Sequence, residues 1–100
     1  MPRVAIFGEP LIELSLLPCR TIGDARVGIA GDTLNTAVYL ARLGVEVDYV
    51  TALGTDPYSE AILAFLHSEG VGTSGILRHP ERVPGLYAIG TDAQGERSFT

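Results

Sequence analysis

The sequence predicts an α/β protein in which strands and helices alternate along the chain. Three observations support this class: a continuous apolar run at residues 4–7, helical periodicity at 32–43, and a second strand-like run at 45–53. Strand, helix and strand in that order indicate two parallel strands joined by a right-handed crossover. With 100 residues, the chain has the size of one domain.

The first third of the chain predicts three strands. The apolar run at 4–7 is typical of a strand buried on both faces, and Gly8-Glu9-Pro10 ends it. Residues 11–17 alternate between polar and apolar, as a sheet with one covered face does, and Pro18 stops them. Residues 26–29 are a weaker candidate strand, which could pair with 11–17.

Two helices and a hairpin are predicted in the remainder. Apolar residues recur at spacings of three and four in the first helix, and Gly44 follows as its stop. The second helix begins at Asp56-Pro57, with proline at or near its first position, and Gly70 ends it. We expect an edge strand at 71–77 and a β-hairpin formed by 86–90 and 96–100.

Composition and charge exclude several classes of function. The net charge is −5 and the seven basic residues, all arginine, are scattered, so nucleic-acid binding is not expected. We expect a cytoplasmic protein with no membrane association, because no apolar window could span a membrane and the N-terminus lacks signal-peptide features. Cys19 is the one cysteine, and His67 and His79 have no neighbouring ligands, so no disulfide and no metal site are expected.

Polar residues gather at a glycine-led helix start, which is the first candidate binding site. Gly31 leads into the helix, and Asp32 and Asn35 bring a carboxylate acceptor and a two-way hydrogen-bonding amide, the combination that a polyol needs. A helix start at the carboxyl edge of an α/β sheet also offers N–H donors to a ligand. The alternative is that Asp32 is an N-cap and Asn35 an ordinary first-turn residue.

Two further residues could contact a ligand. Glu9 follows the first strand, where a carboxylate can accept hydrogen bonds from hydroxyl groups, but it could equally be an ordinary loop acid. Tyr87 in the predicted hairpin could cover a ligand, although a strand tyrosine is also a common packing residue. Neither a P-loop nor a dinucleotide-binding fingerprint occurs in the sequence, which removes the two commonest nucleotide sites of an α/β protein.

The spacing of residues around this helix start resembles a known family. The stretch Gly31-Asp32-Thr33-Leu34-Asn35-Thr36-Ala37, then Gly44 after six residues and Gly54 after nine, is similar to the N-terminal signature of the ribokinase-like (PfkB) carbohydrate kinases. Within that family, residues 8–14, 85–89 and 95–99 most resemble the kinases of 2-keto-3-deoxygluconate. The similarity extends over essentially the whole chain.

The resemblance implies a fold and a set of sugar contacts. The fold would be the start of a ribokinase-like three-layer sandwich, with a small β-sheet lid from strands near 11–17, 26–29 and 86–100. The lid often forms homo-oligomers in this family, and Tyr87 would reach the sugar from it. The remaining sugar contacts would come from the helix start: Gly31, Asp32, Thr33, Leu34 and Asn35.

The same resemblance implies the reaction and its cofactors. The protein would phosphorylate a small sugar acid, 2-keto-3-deoxygluconate, to its 6-phosphate with ATP and Mg²⁺. In the family, the ATP pocket and the aspartate base lie later in the sequence than these 100 residues, so no catalytic residue is assigned here. Since the chain stops inside the second strand of the predicted hairpin, we expect it to be the N-terminal portion of one longer kinase domain.

Two alternatives stay open. The substrate could be another sugar, of the fructose or ribose type. If the chain is complete at 100 residues, it would instead be a non-catalytic sugar-binding or interaction module. A nucleotide-binding regulatory domain is disfavoured, because the phosphate-binding loops are missing.

Overall fold

The chain has the predicted α/β class. The computed structural model describes residues 2–100, and no helix among them is both long and apolar enough to cross a membrane. In chain order the elements are β1 (Arg3–Phe7), β2 (Leu11–Leu16), β3 (Ala25–Ala30), α1 (Asp32–Arg42), β4 (Glu46–Val50), β5 (Ala52–Leu53), α2 (Pro57–Ser68), β6 (Leu77–Arg78), β7 (Gly85–Thr91) and β8 (Arg97–Phe99).

Two parallel strands form the base on which α1 packs. β1 and β4 pair in parallel, which confirms the predicted parallel pair. The strand predicted at 45–53 is divided, however, into β4 and β5, and β5 pairs in parallel with β6 instead. The division falls at Thr51, whose carbonyl oxygen accepts a hydrogen bond from the Leu77 N–H at 2.9 Å. The predicted single strand is therefore wrong because the chain changes its partner at that residue.

The edge strand predicted at 71–77 is wrong over most of its length. Gly72 makes an isolated bridge to Asp48, and the chain then turns, with the Ile76 N–H bonded to the Thr73 carbonyl oxygen at 3.1 Å. Extended pairing resumes at β6. Serine and glycine between Thr73 and Ile76 favour a turn over a strand, which explains the interruption.

The prediction that the first strand is buried on both faces is wrong. Ile6 is partly buried against the core, whereas Phe7 is 71% exposed. Because successive strand residues point to opposite faces, these two side chains report on the two sides of β1. The side of β1 that carries Ile6 packs on the core, and none of residues 2–100 covers the side that carries Phe7.

The core joins both helices to the parallel pair. Leu34 and Val38 from α1, Ile62 and Leu66 from α2, and Tyr49 of β4 belong to one cluster of buried residues, and each is at most 5% exposed. Burial of an aliphatic side chain of this size contributes about 1.5–3 kcal/mol. This packing fixes the start of α1 beside the carboxyl end of β1.

A second sheet contains all the strand regions that the sequence analysis assigned to a lid. Its order is β3-β2-β7-β8, with β2 antiparallel to β3 and β7 antiparallel to β8. These are the two predicted antiparallel pairings, and both are confirmed. The central pairing, β2 parallel to β7, was not predicted. It places Glu13 directly beside Tyr87.

Candidate functional site

A cavity of about 310 Å³ lies between the four-stranded sheet and the start of α1. Strands β2, β7 and β8 supply one wall, and the end of β3 with the first turn of α1 supplies the other. Polar and aromatic side chains from distant parts of the sequence therefore converge on one space. The lining residues are Leu11, Glu13, Ala30, Gly31, Asp32, Asn35, Tyr87 and Phe99.

Gly31 forms the corner between β3 and α1. Its φ angle of 125° belongs to the region that favours glycine, and a Cβ atom there would lie 2.9 Å from the Glu9 carbonyl oxygen. The buried residue Pro10 is the next neighbour, with its Cα atom 3.5 Å from that position. Glycine thus lets the helix start approach the link between β1 and β2 closely, and this approach shapes the cavity.

The side chains of Asp32 and Asn35 both line the cavity. Gly31 occupies the N-cap position of α1, and the helix has no side-chain cap hydrogen bond. The alternative that Asp32 serves as the N-cap is therefore wrong. Its carboxylate and the Asn35 amide are exposed at the first turn, where a hydroxyl-bearing ligand could exchange hydrogen bonds with both.

Thr33 and Leu34 belong to the same predicted stretch but do not line the cavity. Leu34 is 1% exposed and packs in the core. The Thr33 hydroxyl is 2.9 Å from the hydroxyl of Tyr49, a residue with no exposed surface. Burial raises the pKa of the Tyr49 phenol, so this group is a neutral hydrogen-bond partner. The structure gives both side chains a role in anchoring the helix start.

Glu9 lies outside the cavity. It is exposed, and its carboxylate oxygen Oε1 would be 2.7 Å from a Cβ atom added to Gly85, at the beginning of β7. The predicted position after the first strand is correct, but the side chain is directed to the start of the neighbouring sheet. Its backbone carbonyl, by contrast, contacts the Gly31 corner.

Tyr87 lies in the cavity, where it forms part of a hydrogen-bonded group. Its hydroxyl donates to Glu13 Oε2 at 2.9 Å, and the Ser15 hydroxyl donates to Glu13 Oε1 at 2.9 Å. Loss of solvent raises the pKa of the Tyr87 phenol, and the hydrogen bond to Glu13 raises it further. The Phe99 ring lies beside the tyrosine, with 6.2 Å between ring centroids.

Glu13 is the residue that sequence reasoning missed. Its place in the alternating stretch at 11–17 indicated the polar side of a strand, which is the one available signal. What the sequence did not provide was the partner, because the parallel pairing of β2 with β7 joins residues 74 positions apart. The position of this charged residue on a predicted lid strand is enough to make it a candidate for the binding site.

The charge of the cavity limits the ligands that fit it. Glu13 and Asp32 are its two carboxylates, and its lining contains no arginine, lysine or histidine. Hydroxyl groups can donate to these carboxylates, whereas an anionic group would be repelled. In the part of the chain that the structure describes, no three histidine, cysteine, aspartate or glutamate residues form a metal-binding group.

Comparison with known proteins identifies the family. The profile of the pfkB family carbohydrate kinases matches residues 1–100. The chain belongs to this family. It is 48% identical to 2-dehydro-3-deoxygluconokinase of Escherichia coli strain K12 and 49% identical to the enzyme of that name from Dickeya dadantii, with 97% of the chain covered in both. It spans only 31% of the length of either relative.

Solved structures of pfkB kinases show the same fold. The crystal structure of fructokinase from Xylella fastidiosa matches 98% of the chain with a TM-score of 0.86 and 34% identity, over 31% of its own length. A structure of a fructokinase from the same organism with bound ATP matches 98% of the chain with a TM-score of 0.84 and 32% identity, over 32% of its own length. The ribokinase-like fold that the resemblance implied is therefore confirmed for this pfkB chain.

Proposed function

We propose that the protein containing this chain is a sugar kinase that transfers a phosphoryl group from ATP to 2-keto-3-deoxygluconate, giving the 6-phosphate. The observation that supports a sugar site is the cavity between the helix start and the four-stranded sheet, with hydroxyl-binding groups on both walls. The identities of 48% and 49% to two 2-dehydro-3-deoxygluconokinases favour this substrate. In this proposal, residues 1–100 are the N-terminal portion of the kinase domain.

The proposed sugar contacts divide by position. Asp32 accepts hydrogen bonds from sugar hydroxyls, Asn35 both accepts and donates them, and the Gly31 corner allows the ligand to approach the backbone. Tyr87 contacts the sugar from the sheet, which acts as a lid and excludes water. Thr33 and Leu34 hold the helix start in place through their side chains, and Glu9 contacts the Gly31 corner through its backbone carbonyl, so none of the three is assigned a side-chain contact with the sugar.

The acidic lining supports one orientation of a sugar acid. Glu13 and Asp32 would repel the substrate carboxylate, so the hydroxyl-bearing part of the molecule occupies this cavity. The carboxylate would then be held by cationic groups outside residues 1–100. In this arrangement, the chain contributes to catalysis by positioning the sugar.

ATP and Mg²⁺ do not fit the residues described. Anionic phosphates would meet carboxylates and no cation in the cavity, and residues 2–100 contain no cluster of metal ligands. We therefore assign both cofactors to residues outside this chain and derive no step of the reaction from these 100 residues. A cytoplasmic location fits a kinase that uses the ATP pool of the cell.

The decisive experiment is a coupled kinase assay on the full-length protein. We expect ATP-dependent turnover of 2-keto-3-deoxygluconate, and turnover of fructose or ribose alone would replace this substrate with another sugar of the family. Asn35→Ala should raise the KM for the sugar several-fold, because one hydrogen-bonding partner is lost. Thr36→Ala is a matched control, since the Thr36 hydroxyl bonds to the Asp32 carbonyl rather than lining the cavity.

We also propose that the four-stranded sheet mediates a homo-oligomer. The face opposite the cavity is apolar and includes Ile12, Leu14, Val27 and Leu86, of which Val27 and Leu86 are more than half exposed. Val27→Arg should shift the full-length protein to a smaller species in light scattering after size exclusion. An unchanged mass for this variant, or a monomeric parent protein, would contradict the proposal.

A further inference from the structure

The hydrogen bond between Tyr87 and Glu13 determines what the tyrosine can offer a ligand. A phenol has one proton to donate, and an ionised carboxylate can only accept. Since the Tyr87 hydroxyl donates its proton to Glu13 at 2.9 Å, its oxygen is left with lone pairs alone. A ligand that reaches this oxygen must therefore be the donor of the hydrogen bond.

We propose that Glu13 is a positioning residue that makes the Tyr87 hydroxyl a hydrogen-bond acceptor, so that this wall of the cavity selects a hydroxyl group of the substrate. A keto or carboxylate oxygen, which can only accept, is disfavoured at the same position. The inference rests on the proposed function for the presence of a sugar, and it adds the rule by which one wall of the site recognises that sugar.

Two features of the sheet keep this arrangement in place. Glu13 and Tyr87 are direct partners in the parallel register of β2 and β7, so their side chains project side by side from one face. Ser15, two residues along β2 and therefore on that face, donates to the other carboxylate oxygen at 2.9 Å. The carboxylate is thus held from two sides, and the phenol can keep one orientation.

The charge around the pair supports the same polarity. The cavity lining contains no cation that could draw the Glu13 carboxylate away from the phenol. Asp32, the other carboxylate of the cavity, favours the neutral form of Tyr87, as Glu13 does. The tyrosine therefore remains a neutral group whose proton points to Glu13, and a hydroxyl bound to it extends a chain from substrate to phenol to carboxylate.

The test is a calorimetric titration of the full-length protein with sugar, which measures binding and requires no turnover. The ligands are 2-keto-3-deoxygluconate, fructose, and monofluoro analogues in which each hydroxyl of the bound sugar is replaced in turn. Fluorine cannot donate a hydrogen bond, so one analogue should bind the parent protein about tenfold more weakly, the loss expected for one hydrogen bond.

Glu13→Leu should leave the Tyr87 hydroxyl free to donate its hydrogen bond to the ligand, and this should reduce the penalty to about threefold or less. Glu13→Gln keeps an acceptor oxygen and should retain most of the penalty, which separates the polarity of the hydrogen bond from the charge of Glu13. Tyr87→Phe should remove the discrimination, and adding Glu13→Leu to it should change the affinity no further. Tyr39→Phe and Glu81→Gln, both exposed and outside the cavity, are matched controls.

Ultraviolet titration of the phenols in the absence of sugar supplies a second readout. One tyrosine should titrate at lower pH in Glu13→Leu than in the parent protein, and Tyr87→Phe should lack that transition. An unchanged titration, or an equal fluorine penalty with and without Glu13, would overturn the inference even if the sugar binds. If neither sugar binds the parent protein, the proposed function fails and the selection rule fails with it.

Discussion

The hydrogen bond between Thr33 and Tyr49 should stabilise the helix start rather than bind the sugar. The two hydroxyl oxygens are 2.9 Å apart, and Tyr49 has no exposed surface. Thr33→Val removes one hydroxyl at nearly constant volume and leaves the Tyr49 hydroxyl buried without this partner. Tyr49→Phe removes the other hydroxyl and leaves that of Thr33, a residue that is only partly buried.

The burial of the two residues gives the expected magnitudes. A buried polar group that loses its partner costs about 1–3 kcal/mol, so Thr33→Val should reduce the free energy of unfolding by about 2 kcal/mol. Tyr49→Phe should cost about 1 kcal/mol, because water can reach the hydroxyl left on Thr33. The double variant should cost less than the sum of the single ones, since no polar group then remains unpaired.

Urea unfolding of the full-length protein, followed by circular dichroism, measures the three free energies, and calorimetric titration with 2-keto-3-deoxygluconate measures the affinity. Thr33→Val should leave that affinity within about twofold of the parent value if the substrate does not touch its hydroxyl. A tenfold loss of affinity with unchanged stability would refute the reasoning and make Thr33 a sugar ligand. Strictly additive single costs would refute the coupling between the two hydroxyls.

Three further outcomes are expected. Gly31→Ala should lower stability and sugar affinity together, because a side chain at φ 125° is strained by about 1–3 kcal/mol; urea unfolding and sugar titration would contradict this if neither value changed. Ser59→Ala should cost about 1–3 kcal/mol in urea unfolding, because the Gly54 N–H donates to the Ser59 hydroxyl at 2.9 Å and both residues are buried; a loss under about 0.5 kcal/mol would speak against it. The pKa values of Asp56 and Glu69 lie below their ordinary 3.8 and 4.5, through hydrogen bonds from a serine and an arginine side chain respectively. Their stabilisation is therefore complete above those ordinary values and is lost as the pH falls from them through the lowered pKa values of the folded protein. Urea midpoints should decline below about pH 4.5, and a flat profile to pH 3 would be inconsistent with these contacts.

Local patterns were sufficient to predict the helices and the hairpins. The second helix begins at Pro57 behind the N-cap Asp56, as the proline indicated, because helix signals act over a few residues. The pairings of β2 with β3 and of β7 with β8 were equally accessible, since each connects neighbours in sequence.

Features that depend on distant residues were not accessible. The strand predicted at 45–53 divides at Thr51 because β6 becomes the new neighbour, and no local signal marks that change. For the candidate site, the Gly31 corner with Asp32 and Asn35 was predicted, together with Tyr87. Thr33 was not separated from them in advance, because the contact of its hydroxyl with that of Tyr49 depends on how the helix start packs on a strand 16 positions away.

The parallel pairing of β2 with β7 has a consequence for folding. The partner β3 follows β2 after a short connection, whereas β7 arrives much later in the chain, with Glu13 and Tyr87 separated by 74 positions. Closing so long a loop slows folding, and until it closes one edge of β2 has unpaired backbone groups that can pair with another molecule. On the ribosome, the sheet wall of the cavity therefore forms only after β7 has emerged, and until then the open edge of β2 can pair with another molecule.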